Sequence, residues 1–293
     1  MISIFIVYAL FSIGIICNKY MLASAPPFLI FSLRLLFISL SATIISILSK
    51  QKLPSIAHWY IFLPAIIFGT ALPGLCRIWS LQYMPPYKLA LMTNLGPFVV
   101  YFFTLLWDKN ALKIKKVFGI LIAFFSIIPL IIAPAPQEDL LRIYMQISLP
   151  EIIVFCALFF RAIGLFALRT LVNKHHYSPI IVNNICMIGS CLISSTLVPF
   201  EANLTPPSHI FFYYVLAIAI ITSVIGHTLH THLLKNYNIA LITFCSFFLT
   251  IFTTFFDFLL FNRMITWHFF VGLIGIISGL LLFCYDDHQN RFS

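Results

Sequence analysis

Residues 151–172, EIIVFCALFFRAIGLFALRTLV, form an apolar stretch of the length that crosses a lipid bilayer. A transmembrane helix needs roughly 20 apolar residues to span a hydrocarbon core about 30 Å thick. The only acidic residue of the stretch, Glu151, stands at its start, whereas Arg161 stands near its middle. The stretch therefore predicts a membrane-spanning helix that carries a charge near the depth of the bilayer centre.

Nine further apolar stretches of similar length flank this one, separated by proline pairs and short polar segments. The ten predicted spans are 2–22, 27–49, 58–81, 87–107, 115–133, 151–172, 179–199, 209–234, 239–261 and 267–285. Apolar residues make up 61% of the 293 residues and charged residues 9%, whereas soluble domains have roughly 45–50% apolar and 25% charged residues. We therefore predict an all-α polytopic membrane protein with ten transmembrane helices. This composition excludes soluble, disordered and disulfide-stabilised classes.

The basic residues are distributed unequally between the two sides of the predicted membrane. The chain has 17 Lys and Arg against 8 Asp and Glu, a formal net charge of +9. Ten of the basic residues fall on one side and five on the other, while Arg34 and Arg161 fall within spans. Because cytoplasmic loops are enriched in Lys and Arg, we predict a multi-pass protein with cytoplasmic N and C termini. The Ile-, Phe- and Lys-rich, Gly-poor composition is typical of an AT-rich bacterial genome, so the expected location is the bacterial inner membrane. Basic residues at span ends contact lipid headgroups, so the bilayer is an expected partner and nucleic acid is not.

The longest polar connection divides the ten spans into five and five. The two halves match at a shift of 150 residues, which pairs Gly14 with Gly164 and Lys19 with Arg169. Because each half has an odd number of spans, the second half must enter the membrane in the opposite orientation. The predicted organisation is a first repeat over 1–133, a connection over 134–150 and a second repeat over 151–293.

Three groups of residues give the chain a resemblance to a known family. They are Gly14-x4-Lys19 with Pro26-Pro27 and Arg34; Leu81 to Leu91 with Leu95-Gly96-Pro97-Phe98; and the polar hairpins 108–116 and 262–268, each followed by a glycine-containing apolar stretch. In these motifs the chain resembles the EamA-type family of the drug/metabolite transporter (DMT) superfamily over essentially its whole length. The resemblance implies ten helices as two repeats, both termini in the cytoplasm, and alternating access for small metabolites or drugs.

Charged and polar side chains inside the predicted spans mark a candidate substrate path. A charge at the bilayer centre costs roughly 2.5–3.5 kcal/mol on insertion scales, so each one needs a partner or a function. Arg161 and the shallower Arg34 either line a cavity or make structural contacts. Arg77 and Lys19 lie near span ends, where a side chain that reaches the membrane surface is the competing interpretation. The substrate-path candidates are Arg161, Arg34, Asn94, His227, Arg77 and Lys19.

Asp257 is the one carboxylate well inside a predicted span. Intramembrane acids mark proton relays in pumps and transporters, so Asp257 is the candidate coupling residue, with structural pairing to Arg34 or Arg77 as the alternative.

His227 and His230 share a helical face, but a zinc site needs three or four converging ligands. The seven cysteines have no metal-binding spacing. We therefore expect no metal and no cofactor.

A transporter is favoured over two other functions. A membrane-embedded enzyme needs a nucleophile with its base, a carboxylate pair or zinc ligands, and an ion channel needs a selectivity constriction. The sequence contains neither the residues of such an enzyme nor the constriction of a channel, so we do not expect an enzyme. Inverted repeats are typical of secondary transporters, whose substrate site lies near the bilayer midplane.

Basic groups outnumber acids in the predicted membrane interior, and this predicts a substrate with an anionic group, either amino-acid-like or nucleotide-like. The direction of transport stays open, since the superfamily includes importers of host metabolites such as S-adenosylmethionine. Coupling to a proton and exchange for a second metabolite also stay open.

Gly275-x3-Gly279 predicts close helix packing, which we expect within the chain, although both a monomer and a homodimer fit the sequence.

Overall fold

Every regular element among the described residues is a helix, as the composition predicts. The structure is a computed structural model and describes residues 2–48, 54–55, 58–84, 86–107, 114–126, 149–200, 209–218, 222, 225–237, 239–261 and 267–292. No strand occurs within these ranges. Most of the predicted connection 134–150 lies outside the described residues.

The helices follow the order of the predicted spans. In the first half they are α1 (Ile2–Met21), α2 (Pro27–Leu48), α3 (Trp59–Ile66), α4 (Leu72–Tyr83), α5 (Pro86–Thr93), α6 (Gly96–Trp107) and α7 (Ile114–Phe125). In the second half they are α8 (Leu149–Arg169), α9 (Pro179–Ser195), α10 (His209–Ile218), α11 (Gly226–Asn236), α12 (Ile239–Phe244), α13 (Phe247–Phe261) and α14 (Trp267–Phe292). A π-helical turn, Ile67–Ala71, joins α3 to α4, and a second one, Thr170–Lys174, extends α8.

Within the described residues, five helical segments are long and apolar enough to cross a membrane. They are Ser3–Met21, Pro27–Ile44, Trp59–Tyr83, Leu149–Lys174 and Pro179–Phe200. Shorter apolar helices cover Gly96–Leu106, Phe247–Phe256 and Phe270–Phe283. All of these segments coincide with predicted spans. The protein is therefore a multi-pass membrane protein, and the total of ten crossings stays a prediction.

The fourth and ninth predicted spans are each broken into two helices at matching positions. The first break lies at Asn94-Leu95, between α5 and α6, and is followed by Pro97, whose ring removes a backbone donor and clashes with the preceding turn. The second break lies at Cys245-Ser246, between α12 and α13, although no proline follows it. Both breaks contain tight i to i−3 backbone bonds, such as Leu95 N to Met92 O at 3.0 Å and Leu249 N to Ser246 O at 2.9 Å. The two halves thus share a broken helix at the same place in their order.

The two halves pack into each other rather than side by side. The second helices of the halves, α2 and α9, lie along one another, and so do the last helices, α7 and α14. The first helix of each half packs into the opposite half, α1 against α13 and α11, and α8 against α4 and the π turn before it. The inner space of the bundle is therefore bounded by helices from both halves.

Close backbone approach fixes the α7–α14 pair. A Cβ added to Gly119 would lie 2.7 Å from the carbonyl oxygen of Gly279, and one added to Gly279 would lie 2.6 Å from the carbonyl oxygen of Gly119. Only glycine fits at both positions. The packing expected from Gly275-x3-Gly279 is therefore made within the chain.

Candidate functional site

A cavity of about 190 Å³ lies between the two halves, and helices of both halves contribute its walls. Its polar and charged lining residues are Tyr8, Asn18, Arg34, Thr70, Arg77, Thr93, Arg161, Thr222, His227, His230 and Ser246. Apolar residues supply most of the remaining wall. None of the described residues that line the cavity is acidic, so three guanidinium groups share one small space without a carboxylate among them.

The lining residues extend from the middle of the bundle toward the end where α1 joins α2. Toward the opposite end of the bundle, α1 contacts helices of the second half. The hydroxyl of Tyr8 donates a hydrogen bond to the carbonyl oxygen of Ile242 at 2.5 Å, and the rings of Phe5 and Phe248 meet edge to face at 4.6 Å between centroids. These contacts join the two halves at the part of the cavity wall that Tyr8 forms.

Arg161 is positioned by a contact between two backbones. Its Nη1 donates a hydrogen bond to the carbonyl oxygen of Gly69 in the π turn. A Cβ on Gly164, one turn after Arg161 on α8, would overlap the backbone of Gly69. The absence of that atom lets α8 lie against the π turn. Arg161 therefore reaches the cavity with one of its five N–H donors already used.

Arg34 and Arg77 bring the other two charges into the cavity. Arg34 on α2 donates from Nη1 to Asn18 Oδ1 at 3.1 Å, and its guanidinium carbon lies 5.4 Å from the centroid of the Phe31 ring. The Nε of Arg34 is buried without a hydrogen-bond partner in the described structure. Arg77 on α4 lines the same cavity and makes no hydrogen bond or ion pair with any described residue. The positive charge of Arg77 repels the positive charges of Arg34 and Arg161.

Two histidines of α11 complete the polar wall. The rings of His227 and His230 lie 4.9 Å and 5.9 Å from the ring centroid of Phe11, and both residues line the cavity. The two histidines thus lie on a shared face of α11, as their spacing predicts. His232 is exposed on another face. In the described part of the chain, no three His, Cys, Asp or Glu side chains converge as metal ligands.

Two of the six substrate-path candidates lie away from the cavity. Lys19 Nζ donates to the carbonyl oxygens of Leu81 at 2.8 Å and Met84 at 3.2 Å, so it satisfies the C-terminal end of α4. Asn94 is fully buried at the break between α5 and α6, and its Nδ2 donates to Thr250 Oγ1 at 2.6 Å. Asn94 therefore joins the broken helices of the two halves.

The structure brings together Arg34, Arg77, Arg161 and His227 of the predicted set. Asp257 belongs to α13, but its side chain lies outside the described part of the structure. Tyr8 and Asn18 were not among the sequence candidates. A signal for them exists, because Tyr8, Phe11, Ile15 and Asn18 follow a helical spacing on one face of α1.

Comparisons with known proteins identify the fold and the family. The model of the EamA-like transporter family matches two stretches of the chain, 1–132 and 148–285. A solved crystal structure superposes with a TM-score of 0.71 at 13% sequence identity, and the alignment covers 96% of this chain and 95% of the other. At that identity the likeness shows the fold alone. No curated protein matches the sequence. Since the family model covers both halves of this multi-pass membrane protein, the chain belongs to the EamA-like transporter family of the DMT superfamily.

Proposed function

We propose that the protein is a secondary active transporter that moves a small metabolite with an anionic group across the bacterial inner membrane by alternating access. One observation carries the proposal: Arg34, Arg77 and Arg161 meet in a cavity between the halves, and no described lining residue is acidic. Substrate sites of inverted-repeat transporters lie in this position, near the midplane and between the repeats.

The proposed architecture has ten transmembrane helices in two inverted repeats, with both termini in the cytoplasm. The repeats occupy residues 1–133 and 151–293, and residues 134–150 connect them on the outer side. The pairing of α2 with α9 and of α7 with α14 supports this proposal, because an approximate two-fold axis in the membrane plane would pair like helices. The matching breaks in the fourth and ninth spans support it as well.

The chemistry of the cavity supports an anionic substrate. Arginine side chains in a membrane interior are costly, and a bound anion compensates them with charge-assisted hydrogen bonds. The planar guanidinium group presents N–H donors in a fork that matches the oxygens of a carboxylate or phosphate. A loaded cavity therefore carries less uncompensated charge than an empty one, and this favours closure of the bundle around the substrate.

An exchange assay in proteoliposomes tests the proposal. Vesicles with the purified protein are loaded with an isotope-labelled bacterial metabolite extract and diluted into unlabelled extract, and the efflux of each compound is followed by mass spectrometry. We expect saturable, protein-dependent exchange of one or a few anionic metabolites. Exchange of no compound at all would overturn the transporter, while efflux proportional to concentration without saturation would indicate a channel. A new compound formed during the assay would indicate an enzyme.

S-adenosylmethionine is included as a separate probe, because import of this host metabolite is one direction that the family resemblance leaves open. It carries a sulfonium and an ammonium group besides its carboxylate. We expect no exchange of this compound, since its two positive groups would face the cavity arginines.

A further inference from the structure

The cavity contains more positive charge than one monovalent anion can compensate. Arg34, Arg77 and Arg161 supply three charges in about 190 Å³. This volume is below the roughly 300–1,000 Å³ of pockets for drug-sized ligands, so the occupant is small. Like charges repel more strongly in a poorly hydrated interior than in water. A monoanion would leave two of the three charges without a counterion from either the substrate or the described walls.

The same cavity contains hydrogen-bond donors that no described residue uses. The Nε of Arg34 is buried and unpartnered, although Nη1 of the same side chain is held by Asn18. Arg77 has no described partner for any of its donors. Arg161, in contrast, is tied to the π turn through Gly69. Arg77 is therefore the arginine with all of its donors unused by the described residues, and Arg34 is the one with a buried donor that lacks a partner. The two side chains come from different helices of the first half.

A zwitterion fits this site poorly. The ammonium group of an α-amino acid needs an acceptor, and buried charges are stable only when they are paired and hydrogen-bonded. The described lining offers no carboxylate to receive an ammonium group, and three guanidinium groups would repel it. The cavity thus favours a substrate whose charges are all negative.

We propose that the cavity binds a small dianion, namely a phosphate monoester or a dicarboxylate, and that Arg34 and Arg77 hold its charged oxygens together. This inference rests on the proposed function and narrows its substrate class. The two kinds of dianion present the same chemistry to the guanidinium forks, which is two negative charges on oxygens that accept several N–H donors. Arg161 contributes the third positive charge from its position at the π turn.

Matched probe pairs test the charge requirement on the purified protein in detergent. Methyl phosphate is dianionic at pH 7.5, since the second pKa of a phosphate ester is about 6, whereas dimethyl phosphate carries one charge. Malonate and monomethyl malonate form the corresponding dicarboxylate pair. Ligands that bind the folded state raise the unfolding temperature, so thermal unfolding reports binding without any need for transport.

We expect the dianion of at least one pair to stabilise the protein at a concentration roughly tenfold lower than its monoanionic partner, or lower still, because one charge-assisted hydrogen bond contributes about that factor. A preference for methyl phosphate would indicate a phosphate ester as substrate, and a preference for malonate would indicate a dicarboxylate. Equal potency within both pairs would overturn the inference, and so would stabilisation by glycine at the concentration of the better dianion.

Substitutions assign the dianion preference to the two arginines. Arg77→Gln and Arg34→Gln should each reduce the preference at least tenfold, and Arg77→Lys should retain part of it because it keeps the charge. Arg169→Gln is the control, since Arg169 lies in the last turn of α8 and does not line the cavity. Full preference in folded Arg77→Gln protein would overturn the assignment. Where a variant does not fold, the wild-type probe pairs still decide the charge requirement.

The binding test and the transport test fail independently. A dianion preference in detergent without exchange in vesicles would overturn the transporter but keep the site. Saturable exchange of zwitterionic or cationic metabolites, together with equal potency within the probe pairs, would keep the transporter and overturn the dianion.

Discussion

Arg161 is the cavity arginine that the backbone positions most directly, through the carbonyl group of Gly69. We predict that Arg161→Gln raises the KM of the exchanged metabolite at least tenfold, because it removes both a charge and the fork of donors. Arg161→Lys should raise the KM by a smaller factor, since it keeps the charge but loses the fork. The measurement is initial exchange rate against substrate concentration in proteoliposomes.

Arg169→Gln serves as the matched control for Arg161, because both arginines belong to α8 and only Arg161 lines the cavity. The control should leave the KM unchanged. Normal KM values in both Arg161 variants would show that this arginine does not contact the substrate.

Asp257 carries the prediction about coupling. If Asp257 takes up the proton, Asp257→Asn should abolish accumulation driven by a pH gradient while counterflow exchange continues, because exchange needs no net proton movement. Accumulation is measured with an imposed gradient, and exchange is measured without one in the same vesicles. Undiminished gradient-driven accumulation in the variant would leave Asp257 with a structural role.

Residue type and depth predicted part of the site but not the contacts of each residue. Arg77 and Lys19 stand at similar distances from span ends, so the same two interpretations apply to both in the sequence. Lys19 caps the C-terminal end of α4, whereas Arg77 lines the cavity. The difference depends on which helix lies alongside each side chain, and a single sequence does not contain that information.

At the scale of elements, the contact between α8 and the π turn depends on Gly164, which lies against the backbone of Gly69. We predict that Gly164→Ala lowers the free energy of unfolding by roughly 1–3 kcal/mol, as overpacking does, because its Cβ would overlap Gly69. It should also weaken substrate binding, since α8 would move away and take Arg161 with it. Thermal unfolding and exchange measure the two effects.

Gly96→Ala is the control for the added methyl group. A Cβ at Gly96 meets no atom within 4 Å, so the unfolding temperature should stay near that of the wild type. Equal unfolding temperatures for Gly164→Ala and the wild type would contradict the close packing of α8 on the π turn.

A second element-scale prediction concerns the connection before α9, outside the spans. The rings of His58 and His175 lie 4.1 Å apart, and His58 Nδ1 lies 2.6 Å from the Tyr177 hydroxyl. Desolvation lowers the pKa of His175, and the charges of His58, Lys174 and His176 lower it further. Because the folded protein then binds fewer protons than the unfolded chain, this contribution to stability is complete above about pH 6.5 and is lost as the pH falls below that value.

We therefore expect the unfolding temperature of the wild type to drop more between pH 7 and pH 5 than that of His175→Phe, which cannot be protonated. Thermal unfolding of both proteins across this pH range is the measurement. Parallel pH profiles would show that His175 contributes nothing to acid sensitivity.

The helix breaks show where an element can be predicted and where it cannot. Pro97 is a sequence signal for an irregular fourth span, because proline disrupts the preceding turn. The break at Cys245-Ser246 has no proline, and only the structure reveals it. No local propensity predicts this second break, but the repeat relation between the halves does.

At the scale of the whole molecule, the testable feature is orientation. In a variant whose seven native cysteines are replaced, we predict that Gln137→Cys reacts with a membrane-impermeant maleimide from the periplasmic side. Lys113→Cys, in the predicted cytoplasmic hairpin, should react only after the membrane is opened. Labelling of the two positions in the reverse order would invert the proposed topology.

In the proposed alternating-access cycle, the hydrogen bond from Tyr8 to Ile242 would make the two end states unequal in free energy. At the repeat shift of 150, the counterpart of Tyr8 is Leu158, which has no hydroxyl group and lines the cavity. A buried hydrogen bond of this kind contributes about 1 kcal/mol, or roughly a fivefold ratio of populations. The empty protein would then populate the state that contains this hydrogen bond about five times more than the opposite state. At any moment, more of the empty proteins would therefore offer the cavity to one side of the membrane than to the other.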